Sequence, residues 1–324
     1  LKGETMRITI AGGSGQVGSV LARHFHDDAH DVVVLSRGSR TSTWRTTWWD
    51  GESLGDWTQV IDGADVLINL AGRSVNCRYG ARNRRLIMDS RVNSTRVLGE
   101  AVARAERPPR VWLQASTATL YAHRYDAPND EITGLIGGDE RDIPDTWKFS
   151  YAVAHAWENA CLAAPTPHTR KVLMRSAMIM SPDRGGIFDT LLALVRRGLG
   201  GTPGSGRQYV SWIHDHDFIH AVEWLMAHDG VSGPVNLAAP NPLPMSEFMR
   251  ALRRAWGARI GLPAPGWLLE IGALLLRTET ELVLKSRRVT PGLLLDAGFG
   301  FDFPDWPGAS EDLCRRWRVR HGRT

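Results

Sequence analysis

Tyr151 and His155 stand four residues apart in FSYAVAHAWE (149–158), a stretch with helical periodicity, so the two side chains share a helix face. A phenol beside an imidazole can pass a proton or hydrogen-bond a ribose hydroxyl; the same spacing also suits two residues that merely pack. Tyrosine titrates near 10, so serving as a base at neutral pH asks for a fall of roughly 3 pH units, or about 4 kcal/mol. Histidine, near 6.5 when unperturbed, is mostly neutral at pH 7 and activates a phenol less than a lysine ammonium does. As a proton donor to a forming alkoxide the phenol needs no prior ionisation, which favours reduction over oxidation. Lys148 is a further source of charge, or a solvated lysine.

The second chemical feature is glycine spacing. In MRITIAGGSGQVGSVLARHF an apolar run is followed by Gly12, Gly15 and Gly18 and then by helical periodicity, which reads as strand, tight turn and helix. Missing side chains there let a backbone turn sharply and approach a pyrophosphate, with Gln16 and Val17 opening the helix as further cofactor contacts. The next strand, DVVVLS (31–36), ends on Ser36, Arg37, Gly38, Ser39 and Arg40, where an acid would select the ribose 2′-hydroxyl of NAD(H). Guanidinium groups clamp a 2′-phosphate, so Ser36, Arg37 and Arg40 favour NADP(H), with NAD(H) allowed; the competing reading is that both arginines are solvated loop residues.

These groups need a frame. Strands at 31–36, 64–72 and 110–117 alternate with helical stretches, one of them roughly 80–106, as a parallel sheet with helices on both faces requires. The fold expected is α/β, a Rossmann-type doubly wound parallel sheet. Leu70, Ala71 and Gly72 end one strand with residues small enough to pass close to a cofactor.

Composition narrows the class. The chain has 324 residues, 43% hydrophobic and 23% charged, without repeats, which suits one large folded α/β unit with a smaller lobe. A net charge of +4 with scattered arginines gives no basic footprint for nucleic acid. Cys77, Cys161 and Cys314 are too few and too far apart for a disulfide framework or a zinc site and read as free thiols in a reducing cytoplasm. The run GWLLEIGALLL (266–276) is interrupted by Glu270 and too short for a membrane span, and Leu1 to Thr5 read as an added segment before Met6. His214, Asp215, His216 and Asp217 in SWIHDHDF are ligand types, yet one short tract makes no coordination shell; an aspartate there reads as a helix cap, and no metal is expected. The 13 tryptophans suit core or interface anchoring.

The motifs GGSGQVG, NLAG and STATLY (116–121), followed by a Tyr-x-x-x segment, resemble in their order the extended short-chain dehydrogenase/reductase superfamily. INLAG, DSRVNSTRVL (89–98), GLGGTPGSGRQYVSWIHDHDFIHAV (198–222), SGPVNLAAPNPLPMSEFMRAL (232–252) and RVTPGLLLDAGFGFDFP (288–304) are similar to its epimerase-like subgroup, the NAD-dependent epimerase/dehydratase family with an added C-terminal lobe. The resemblance covers nearly the whole chain from Met6. It implies a dinucleotide-binding domain from residues 6–178 plus 209–238 and a smaller substrate-binding lobe from 179–208 plus 239–324. It also implies a Ser/Thr, Tyr and Lys set, which places Thr117 at the hydroxyl position, Tyr151 at the tyrosine and His155 where the lysine stands. Arg91 falls in the place of an asparagine on the preceding helix, as a cofactor contact. Tyr121, Arg207 and Trp212 become candidates to line the substrate pocket, and the polar loop 121–148, with His123, Arg124 and Tyr125, reads as a lid or binding loop.

The expectation is an NADP(H)-dependent carbonyl reductase or epimerase-like enzyme for a small organic substrate, without a nucleic-acid or membrane partner and with homo-oligomerisation open. The competing expectation is a dinucleotide-binding regulatory or scaffold protein that has lost the chemistry, as the missing lysine suggests.

Overall fold

The structure is a computed structural model that describes residues 5–38, 42–263 and 284–322. Seven parallel strands form one sheet in the order β10-β6-β5-β4-β1-β2-β3. They are β1 (Arg7–Ala11), β2 (Asp31–Ser36), β3 (Arg45–Trp48), β4 (Val66–Asn69), β5 (Val111–Thr117), β6 (Arg170–Ser176) and β10 (Gly233–Leu237). The strand order reverses between β1 and β4, and the crevice above the strand ends at that point is where this architecture binds ligands.

Alternate residues build the two faces. Val66, Ile68, Val111 and Leu113 join Ile8, Ile10, Leu21 and Phe25 in one cluster, covered by α1 (Gln16–Asp27) and α5 (Asp215–Ala227). Leu67 and Trp112 point the other way, toward Val97, Leu98, Ala101 and Val102 of α2 (Ala81–Arg104) and Cys161 of α3 (Asp145–Leu162). Strands buried on both faces explain the unbroken apolar runs of β2 and β4.

A separate apolar cluster joins α4 (Ile187–Arg196), α6 (Met245–Trp256) and α8 (Trp306–Arg320), with Trp306 stacked on Phe248 at 4.0 Å between ring centroids and edge-on to Trp212 at 5.0 Å. Short pairs complete the chain: β7 (Met178–Met180) with β9 (Trp212–His214), and β8 (Tyr209–Val210) with β11 (Leu243–Pro244). α7 (Gly292–Asp296) lies between α6 and α8 in the chain. Among the described residues no helix is long and apolar enough to cross a membrane. Residues 266–276 lie outside the described residues.

The tract 214–217 ties the C-terminal segment to α5. His214, not an aspartate, caps the helix: its Nδ1 accepts from His216 N at 3.1 Å, and its Nε2 lies 3.1 Å from Asp312. Asp215 is instead held by Arg316 at 2.7 and 2.9 Å, and the Asp217 carboxylate accepts from the amides of Asp302 and Phe303. Burial, helped by the Arg316 charge, pushes the His214 imidazole down to about 4 against the pull of Asp215 and Asp312, so it stays neutral near pH 7.

Candidate functional site

The turn between β1 and α1 presses on the end of β4. Gly12 has φ +76°, and a Cβ on it would lie 2.7 Å from Ala71 N; a Cβ on Gly18 would lie 2.5 Å from Gly13 Cα. Glycine is required at both positions for close backbone approach and helix-on-strand packing. Asn69 sets the other wall: its Nδ2 donates to Thr95 Oγ1 and Gln114 Oε1, and its Oδ1 accepts from Ala71 N at 3.0 Å, which fixes the turn through Leu70, Ala71 and Gly72.

Between these turns runs a groove of about 480 Å³, lined by Gly12, Gly15, Ser36, Arg37, Leu70, Ala71 and Gly72 together with Ser14, Asp50 and Ser94. Gly15 opens α1 without a side-chain cap, which leaves first-turn amides facing the groove end where an anion would sit. Ser36 Oγ bridges to Ser14 Oγ at 3.0 Å and accepts from Gly38 N at 3.2 Å, and Arg37 is exposed beside it. Arg40 lies outside the described residues. Gln16 and Val17, expected at the cofactor, do not line the groove: one helical step past Gly15 turns Gln16 against Gly186 and Val17 onto the sheet's core.

The helix α2 is shared by the groove and a second, smaller cavity. Ser90 and Ser94 face the groove, while Ile87 and Arg91 face a cavity of about 130 Å³ into which Thr117 also opens. Gly72 marks the junction, since a Cβ there would lie 3.1 Å from the Arg91 guanidinium carbon. Thr117 Oγ1 accepts from Thr119 N at 3.1 Å, which leaves its proton to donate into the cavity. Arg91 Nη1 donates to the carbonyls of Arg73 and Ile87, and its guanidinium lies 4.9 Å from the Trp157 ring centroid.

The wall from α3 presents neither residue of the expected catalytic pair to this cavity. Ser150, Val153, Ala154 and Trp157, at i, i+3, i+4 and i+7, line the cavity, so its four-residue pair is Ser150 and Ala154, one step before Tyr151 and His155. Tyr151 is buried and turned toward the 121–140 loop, where its hydroxyl donates to Glu140 Oε1 at 3.0 Å and Lys285 Nζ lies 3.8 Å from the ring centroid. A Cβ on Gly137 would overlap the phenol, so that loop is moulded to it. Burial raises the Glu140 carboxyl, but the Gly138 amide, the Tyr151 hydroxyl and the His123 amide outweigh it and hold the group below the usual carboxylate range. His155 is exposed and lines neither cavity, and Lys148 is exposed too.

The expected substrate contacts also lie elsewhere. Tyr121 is buried: its hydroxyl donates to Asn236 Oδ1 at 2.9 Å and accepts from Arg175 Nη1 at 3.2 Å, and burial raises its pKa. Trp212 is wholly buried against Trp306, and Arg207 is exposed on a loop. The 121–148 loop is stitched down along part of its length: His123 Nδ1 accepts from Ser286 N, the Arg124 and Tyr125 carbonyls from Ser286 and Arg288, and Asn129 bridges to residues 288–290.

Several site residues escaped the sequence reading. Tyr79, Ser150, Trp157 and Arg287 line the Thr117 cavity, and Lys285 and Arg287 reach its rim from the C-terminal part by bonding Thr119 O and Oγ1 at 2.6 and 3.1 Å. The α3 set was readable as a helix stripe; the residues near 285 carried no local signal. Beneath Thr117, Ser116 Oγ donates to Glu158, which pairs with Arg175 through two 2.8 Å contacts and holds the β5 end against α3.

Comparison with known proteins agrees with this architecture. Residues 264–313 match a domain of unknown function, DUF1731. A Staphylococcus epidermidis protein named epimerase family protein SERP0438 is 32% identical over 310 residues, 95% of this chain and 99% of that one. The crystal structure of human epimerase family protein SDR39U1 (isoform 2) with NADPH is similar at a TM-score of 0.82 and 27% identity, over 96% of this chain and 99% of that one. UDP-N-acetylglucosamine 4-epimerase from Bacillus cereus, at 16% identity, a TM-score of 0.73 and coverage of 97% and 100%, shares the fold. Residues 8–238, from the first strand of the sheet to the last in the chain, match the NAD dependent epimerase/dehydratase family, and the chain belongs to it.

Proposed function

We propose that the protein is an NADP(H)-dependent oxidoreductase that reduces, or interconverts through a ketone, a small organic carbonyl or hydroxyl compound. The observation that carries this reading is that the groove and the Thr117 cavity adjoin: Gly72 of the groove wall lies against Arg91 of the cavity wall. The glycine turn fits a pyrophosphate because Gly12 and Gly18, where a side chain would strike the backbone of Ala71 and Gly13, keep the turn tight against the end of β4, and Gly15 opens α1 onto the groove. Ser36 and Arg37 in place of an acid fit a 2′-phosphate, and the similar human protein was solved with NADPH.

Bound NADPH supplies a hydride to the carbonyl carbon. The Thr117 hydroxyl donates a hydrogen bond to the oxygen as it gains charge, and the Arg91 cation sets a positive potential around it. The tyrosine that lines this cavity among the described residues is Tyr79, and we assign it the proton that completes the alcohol, in place of Tyr151. A second reading, a cofactor-binding regulatory protein, draws support from Ser150 and Ala154, which carry neither phenol nor ammonium to the cavity. The test is NADPH titration followed by cofactor oxidation with small carbonyl compounds; binding without turnover across a broad panel favours the second reading.

A further inference from the structure

We propose that Arg91 forms a carboxylate subsite in the Thr117 cavity, so that the substrate is a small oxo-acid with an apolar tail. This rests on the oxidoreductase reading above and names its substrate class. Arg91 Nη1 is occupied by the carbonyls of Arg73 and Ile87, and the Trp157 ring supports the guanidinium at 4.9 Å. Its Nε and Nη2 donate to no group among the described residues. That Nε–Nη2 edge is the planar fork that matches two carboxylate oxygens.

No Asp or Glu lines the cavity among the described residues, and Arg287 adds a second guanidinium to its wall. Burial holds Arg91 down to about 10, so it is cationic at neutral pH. A half-buried cation on carbonyls and a ring face calls for an anion. The cofactor's phosphates are one source, because Gly72 of the groove wall lies against the Arg91 guanidinium; Arg91 itself lines the cavity, whereas Ser90 and Ser94 face the groove. Ile87, Phe149 and Val153 make the remaining wall apolar. The volume of about 130 Å³ is on the order of a cavity that admits benzene, which limits the guest to a short branched or single-ring tail. Arg91 and Thr117 line the same cavity, so a carboxylate on Arg91 leaves the Thr117 hydroxyl as the donor for the neighbouring carbonyl oxygen.

The probes are 4-methyl-2-oxopentanoate and its methyl ester, titrated by calorimetry into the full chain without cofactor and with saturating NADPH. The expected result is binding of the acid on the order of tenfold or more tighter than the ester. Arg91→Met should erase that ratio, Arg91→Lys should keep part of it, and both should hold the NADPH Kd within about twofold. Equal binding of acid and ester by the wild type overturns the proposal, whatever the variants do. A ratio that survives in Arg91→Met while NADPH affinity falls also overturns it and assigns the arginine to a cofactor phosphate. Loss of NADPH binding by the wild type would count against the oxidoreductase reading alone, because the acid-to-ester ratio is read in its absence.

Discussion

The hydroxyl of Tyr151 donates to Glu140 Oε1 at 3.0 Å, inside a pocket closed by Gly137 and Lys285, and the ring does not line the cavity on which Thr117 opens. The tyrosine that the chain order nominates for proton transfer thus ties α3 to the 121–140 loop, and the proposed mechanism gives the proton to Tyr79 in its place. Tyr151→Phe is expected to leave carbonyl turnover within about twofold and to cost about 1.5–3 kcal/mol of stability, the worth of one hydrogen bond to a charged acceptor. Tyr79→Phe should lower turnover on the order of a hundredfold or more, as loss of a general acid does. Parallel rates and urea melts of the two variants check the assignment; a crippled Tyr151→Phe with an active Tyr79→Phe would reverse it.

Gly18→Ala should abolish dinucleotide binding, because the added carbon lands 2.5 Å from Gly13 Cα, where backbone must shift. Fluorescence titration with NADPH, beside a thermal melt to confirm folding, reads the effect.

Arg37→Glu puts an acid at the groove end beside Ser36. It is expected to weaken NADPH on the order of tenfold to a hundredfold, the range of one to two charge-assisted bonds, and to spare NADH. Dissociation constants for both cofactors, measured at fixed ionic strength, decide it.

The fold was legible because its signals are local and repeated: the glycine turn at Gly12 to Gly18, the apolar runs of β2 and β4, and the alternation that made a parallel sheet. Thr117 was legible as a strand end at the sheet's crevice. The facing of α3 was harder. Adjacent residues on a helix differ by about 100°, so displacement by one position separates a cavity-lining Ser150 from a loop-bound Tyr151. Tyr121 and Trp212 misled because aromatic residues near a motif serve a buried network or a core as readily as a pocket. Lys285 and Arg287 reach the site from more than 160 residues away from Thr119, and no short-range pattern announces such a contact.

His214 is wholly buried with its imidazole held down to about 4. A depressed value means the unfolded chain takes up the proton first, so this contribution to stability is present above about 6.5 and is lost as pH falls through about 4. His214→Asn should flatten that part of the acid limb in urea melts between pH 7 and pH 4. An unchanged slope would place the titration elsewhere.

Glu158→Ala leaves the Arg175 guanidinium buried without its carboxylate and frees Ser116 at the end of β5. The expected cost is about 3–5 kcal/mol, read as a lower urea midpoint with a comparable slope.

The reading of groove and cavity as one site turns on Thr117. NADPH binding and carbonyl-dependent NADPH oxidation should be measured for the wild-type chain and for Thr117→Val, which keeps the side-chain shape and removes the donor. Equal NADPH affinity in the two, with turnover lower on the order of a hundredfold in the variant, is the predicted result. A Thr117→Val protein that turns over at the wild-type rate would contradict it.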